Sequence, residues 1–335
     1  RSVSADVESG GRLALGLIYQ FERQRAERAD AELQSAEQKF RTEVALLDRS
    51  LQPQSAKLQN DIASLWEDAE FSCAEWETMA WDLWRPVSIP SLTARFGTLT
   101  AYTDDIVPYL SAGLDFTLPA LTPFAEEQSL LLKVSGAEKE QAGNAIKAAL
   151  ARLIATIPPA KLRLTLIDPV ALGSNVAGLM SLADYEESLV TSRAWSEPHH
   201  IEQRLSDLTE HLENVIQKYL RTDFKTIHDY NAAANEVAEP YRFIVVFDFP
   251  VNFTDTAARR LNSIVRNGAC CGVYALIVCD TSKPLPYGFS LDELCQSASV
   301  IDASSGRPDS KLRWLDPSFQ EWLLHLDSPP PPQIL

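Results

Sequence analysis

Four short, largely apolar runs recur from residue 129 onward: SLLLKV (129–134), LRLTLIDP (162–169), YRFIVVFDF (241–249) and CGVYALIVCD (271–280). Helix-type stretches lie between them, at about 142–157, 198–221 and 254–267. Runs with so few polar interruptions are strands buried on both faces, and strands that alternate with helices close most simply into a parallel sheet sandwiched by helices. The pattern therefore predicts an α/β domain over residues 126–320.

Helix 198–221 is the most legible of the connections. Ser196 is placed to cap it, Pro198 suits its first turn, and Glu197 and Glu202 favour the positive end of its dipole. Ile201, Leu205, Leu208, Leu212, Val215 and Tyr219 then form one stripe for the sheet. His199, His200 and His211 have no cysteine or carboxylate at ligand spacing on the same face, so they read as structural or exposed histidines rather than a metal site.

Upstream, Ala, Glu, Gln, Arg and Leu dominate residues 12–50, with Leu13, Leu17 and Phe21 and then Phe40, Val44, Leu47 and Leu51 at helical spacing. Pro53 predicts a break, after which Leu58, Ile62, Leu65, Ala69, Trp76 and Leu83 resume the stripe. Two long helices around a short break predict an antiparallel hairpin or coiled-coil arm over 1–85, reaching about 55 Å. Residues 86–125 are proline-rich with short alternating runs, ARFGTLTAYT and AGLDFTLPAL, and predict a small β-rich connecting segment. Residues 321–335, ending in DSPPPPQIL, read as a proline-rich linker to a following domain, and the chain as a piece of a larger protein.

The net charge of −16 argues against duplex DNA as a direct partner, because DNA is bound chiefly by Lys and Arg neutralising phosphates. The five cysteines show no C-x-x-C spacing, and a reduced, cytoplasmic setting is expected.

The strand–helix turn at 134–143 has the layout of a phosphate-binding loop, so the remaining requirements of a P-loop nucleotide-hydrolysing domain can be tested in turn. A G-x-x-x-x-G-K-[ST] loop anchored on Gly136 would need Gly, Lys and a hydroxyl at 141–143; the chain has Gln141, Ala142 and Gly143. Lys139 is nearby, but Glu138 and Glu140 flank it and compensate its charge locally. Asp248 ends its strand where a magnesium ligand would sit, yet the neighbour that should activate water is Phe249. On the next strand Cys279 and Asp280 stand where a neutral polar sensor is required, and a negative Asp280 would repel a phosphate. Phosphate holding, water activation and sensing are lost together.

The order of these pieces resembles the FtsK/SpoIIIE family of RecA-like P-loop ATPases over about residues 119–290. LTLIDP, with Asp168 and Pro169, is similar to that family's strand and Asp-Pro; IEQRLSDLTEHLENVIQKYL to its long helix; TIHDYNAAA to its Tyr-Asn segment; PYRFIVVFDFP to its Walker B strand; and AARRLNSIVRNGACCGVYALIVCD to its helix, glycine turn and sensor strand. The resemblance implies a RecA-like fold and marks Gly136, Lys139, Asp168, Asp248 and Asp280 as vestigial nucleotide-binding positions, with no catalytic residue and no metal ligand. It implies no cofactor for this stretch, with ATP and magnesium belonging to the parent protein. It further implies a neighbouring ATPase module, a homo-oligomeric ring, DNA engaged through the parent, and a protein partner for the helical arm. A module of a type VII secretion-like motor that recruits protein substrate, and a divergent active NTPase using Lys139, are the alternative expectations.

Overall fold

The computed structural model describes residues 2–68, 70–78, 81–101, 117–126, 129–184, 189–190, 193–221, 224–234, 237–303, 312–319 and 322–334. The chain divides into two compact units, Arg1–Asp61 with Thr103–Leu114, and Ile62–Tyr102 with Asp115–Leu335.

The described part of the first unit is helical. One helix, α1, runs from Ser2 to Asp68 and carries Pro53 inside it, where the pattern predicts two helices folded into a hairpin. A proline within a helix removes one hydrogen bond and costs about 3 kcal/mol. Strong helix formers on both sides outweigh that single defect, so the helix continues. Leu17, Phe21, Leu33, Phe40, Leu47 and Leu58 are exposed along α1, and no antiparallel helix covers that column among the described residues.

The second unit contains two sheets. Strands β1 (Thr93–Ala101) and β2 (Thr117–Pro123) pair antiparallel. The run ARFGTLTA falls on β1, and the second predicted run is described only from Thr117 onward. β1 also pairs with a strand from the far end of the chain, Trp322–Leu326, numbered β9 below. Residues 321–335 are thus not a free linker: their apolar WLLHL is recruited as an edge strand. Gly97 makes this approach possible, since a Cβ there would stand 2.4 Å from the His325 carbonyl oxygen.

The larger sheet is built from β3 (Ser129–Val134), β4 (Leu162–Ile167), β5 (Tyr241–Phe249), β6 (Val273–Asp280), β7 (Ala298–Asp302) and β8 (Arg313–Trp314). Its order is β4-β5-β6-β3-β7-β8, parallel throughout except for β8. Every residue of β6 is buried, as is every residue of β5 except Arg242. The helices between the strands are α2 (Glu138–Thr156), the single turn α3 (Ala177–Met180), α4 (Pro198–Lys218), α5 (Ile227–Ala234), α6 (Asp255–Asn267) and α7 (Leu291–Cys295). This is an α/β fold of RecA-like type, with helices flanking a mostly parallel sheet.

α2 packs against both the large sheet and β1, which explains its alanine-rich composition: Ala142, Ala145, Ala148 and Ala149 are buried with Ile146, Leu150 and Leu153. α4 buries Ile201, Leu205, Leu208, Leu212 and Val215, the stripe its spacing predicts, against α6 among others. Its cap differs from expectation. Glu197 holds the N-cap position with no side-chain cap bond, while the Ser196 carbonyl accepts from Asn252 Nδ2. α6 has a side-chain cap, Thr254 Oγ1 accepting from Ala257 N at 3.0 Å, and so has α5, where Thr226 Oγ1 accepts from Asp229 N at 3.3 Å.

Candidate functional site

The carboxyl ends of β5, β6 and β3, three adjacent strands, meet the N-terminus of α2. Only Ser135, Gly136 and Ala137 separate β3 from α2, with Gly136 in the left-handed region at φ +58°. That connection is shorter than the G-x-x-x-x-G-K-[ST] loop. α2 starts earlier than the predicted 142, which places Lys139 in its first turn beside Glu138 and Glu140.

Lys139 then reaches away from those neighbours. Its Nζ lies 2.6 Å from Asp248 Oδ1 and 2.9 Å from Asp280 Oδ2. Local compensation by the flanking glutamates, the sequence expectation, is replaced by an ion triad drawn from α2, β5 and β6. Both aspartates are almost fully buried, whereas Lys139 keeps 30% of its side chain exposed. Burial pulls the Lys139 ammonium down, but bonding to Asp248 and Asp280 outweighs it, so the group sits above the ordinary lysine range. Burial likewise raises the Asp280 carboxyl, while hydrogen bonds from Ser282 and Lys139 hold it below the usual carboxylate range.

Asp280 is further fixed by Ser282, whose N–H and hydroxyl donate to Oδ1 at 3.0 and 2.6 Å. The role of Ser282 goes beyond the motifs expected from sequence, and its signal is the Asp-Thr-Ser run at a strand end, an Asx-turn pattern. Asp248 has φ +54°, a left-handed conformation for a residue with a Cβ, held in place by the packed end of β5.

Two other positions do something else. Asp168, fully buried after β4, spends both oxygens on its own loop: Oδ1 accepts from Ala171 N and Asn175 Nδ2, and Oδ2 from Gly173 N and Asn175 N, at 2.9 to 3.2 Å. Phe249 is fully buried, its ring 4.9 Å from Phe253 and 5.4 Å from Phe289. Position 249, where the resemblance would place a water-activating residue, is hydrocarbon core. Cys279, opposite Phe249 in the sheet register, is buried too, which pushes its thiol up to about 12.

Of the five positions that the resemblance marks, the fold joins Lys139, Asp248 and Asp280, leaves Gly136 in the turn that delivers α2, and makes Asp168 a loop clasp. Within the triad both carboxylates are paired with the one ammonium.

Neither a family model nor a curated protein matches the chain. Among solved structures it is similar to EssC (ATPases 2 and 3) from Geobacillus thermodenitrificans, at 15% identity and a TM-score of 0.48 over 73% of this chain and 45% of that one. It is also similar to the cytoplasmic domain of the Thermomonospora curvata type VII secretion ATPase EccC, at 16% identity and 0.49 over 80% and 32%. A third is the pCW3 conjugation coupling protein TcpA, monomer form with ATPγS, at 11% identity and 0.42 over 77% and 69%. The chain spans less than half the length of the EssC and EccC structures. These neighbours are FtsK/SpoIIIE-family P-loop ATPases. Among the described residues no helix is long and apolar enough to cross a membrane.

Proposed function

We propose that this chain is a catalytically silent ATPase-like module of a larger FtsK/SpoIIIE-type motor, acting in assembly, bracing or regulation of an active ATPase ring rather than in turnover. The observation that carries this reading is Phe249, buried among Phe253 and Phe289 where hydrolysis needs a carboxylate facing water. The three-residue turn before α2 supports it. ATP and magnesium then belong to the parent protein, DNA is engaged through the parent, and the setting is cytoplasmic. The exposed apolar side chains of α1 suit a protein partner.

The test is phosphate release and nucleotide binding by the purified chain. No magnesium-dependent turnover and no micromolar ATP affinity are expected. Turnover that Asp248→Ala abolishes would overturn the reading in favour of a divergent NTPase.

The net charge of −16 favours a second reading, a module that recruits protein substrate in a type VII secretion-like motor, since an acidic surface suits a protein better than DNA. Translocation of duplex DNA by the parent protein would decide against it.

A further inference from the structure

We infer that the Lys139 ammonium is the resident cation of this site, standing in for a bound ligand and holding the edge of the sheet in one state without nucleotide or divalent metal. The inference deepens, and rests on, the reading of the chain as a non-hydrolysing module.

The geometry makes the case in three steps. Asp248 and Asp280 lie at the carboxyl ends of two neighbouring strands, and one Nζ within 2.9 Å of both keeps their carboxylates close together in a largely buried place. Two such charges repel unless a cation sits between them. Lys139 supplies that cation from the first turn of α2, so a single ammonium joins α2 to the ends of β5 and β6. Thr281 extends the clasp to β3, its N–H donating to the Val134 carbonyl at 2.9 Å.

An outside ligand finds little to replace. Around Lys139 stand four carboxylates, Asp248 and Asp280 in contact with it and Glu138 and Glu140 in the same helical turn. A nucleoside triphosphate brings only negative charge to that surface, and the acidic first turn already answers the helix dipole. A divalent cation would have to displace an ammonium that is covalently part of the chain.

The experiment is thermal unfolding at pH 7.5 with EDTA, with millimolar MgCl2 or MnCl2, and with Mg·ATP. Wild type is expected to melt at one temperature in all of them. Lys139→Met leaves two buried carboxylates without their shared cation; it is expected to melt about 5 °C lower in EDTA and to regain at least half of that loss in MnCl2. A Lys139→Met variant as stable as wild type, or a destabilised one indifferent to Mn2+, overturns the inference while leaving the non-hydrolysing reading intact. Should Lys139→Met fail to fold, the charge-balanced Lys139→Met/Asp280→Asn pair carries the test. It is expected to fold with little response to Mn2+, and a failure to fold would show that neutral packing rather than the charge of Lys139 matters. ATP turnover by wild type would instead sink the functional reading itself.

Discussion

Arg95 Nε and Asp327 Oδ2 lie 2.7 Å apart although 232 positions separate them in the chain. Asp327 also takes Arg152 Nη1 at 3.0 Å, and Arg95 Nη1 reaches Glu75 Oε1 at 2.7 Å and the Cys73 carbonyl at 2.8 Å. The Arg152 guanidinium lies 4.0 Å from the centre of the Trp76 ring, whose Nε1 donates to the Ser328 carbonyl. Both arginines are almost wholly buried, and burial draws Arg152 down to about 10. Removing the carboxylate leaves two buried cations without their shared partner. Asp327→Ala is expected to destabilise the second unit by about 3–5 kcal/mol, read from urea unfolding, and Asp327→Asn by less because its amide oxygen still accepts. Wild-type stability in Asp327→Ala would show that Glu75 and the backbone carbonyls suffice.

Gly97 gives a sharper local test of the same closure. An alanine Cβ there would meet the His325 carbonyl oxygen at 2.4 Å, within the β1–β9 pairing, and backbone yields little. Gly97→Ala is expected to cost about 2 kcal/mol or more. Gly288→Ala is the control, because its Cβ meets nothing within 4 Å and only its φ of +69° opposes the change, at about 1 kcal/mol. Equal midpoints for the two variants in urea would contradict the close approach.

The sequence made the large sheet and its helices readable because each carries its burial in its own periodicity: β5 and β6 are apolar almost throughout, and α4 repeats every three to four residues. What it did not disclose depends on distant partners. WLLHL looks like any short apolar run until Gly97 opens a place for it, and Pro53 looks like a helix end because a proline's local penalty is visible while the strength of the surrounding helix is cumulative. The site divides in the same way. The departures from the expected loop, carboxylate and sensor at 141–143, 249 and 279–280 are local and legible at once. The pairing of Lys139 with Asp248 and Asp280 joins positions over 100 residues apart, and adjacent Glu138 and Glu140 offered a nearer, incorrect partner.

Acid should weaken the fold through His211. Burial first, and then the nearby Arg242, depress its imidazole from the ordinary 6.5 to about 4, with Glu239 opposing them. Between those values the unfolded chain binds the proton that the folded chain refuses, so stability falls as pH drops from about 6.5 towards 4 and is flat above. The full effect is about 3 kcal/mol. His228, lowered by burial as well, adds in the same direction. Urea midpoints at intervals from pH 4.5 to 7.5 should trace this slope, and His211→Asn should flatten most of it; an unchanged slope in that variant would assign the acid sensitivity elsewhere.

Placing a carboxylate at position 249 should not confer ATP hydrolysis. Phe249→Glu puts a charge into a pocket formed by Phe253 and Phe289, beside buried Cys279. The carboxyl would stay protonated or force the β5 end open, and either outcome removes the packing of a fully buried ring, at about 3–5 kcal/mol. Phosphate release by the variant is expected to remain at background, because the turn at Ser135–Ala137 still lacks a phosphate cradle and Lys139 stays bound to Asp248 and Asp280. Measurable ATP hydrolysis in Phe249→Glu would mean that Lys139 leaves its carboxylates when a substrate arrives, and that a single side chain, rather than the whole edge of the sheet, decides whether the domain turns over ATP.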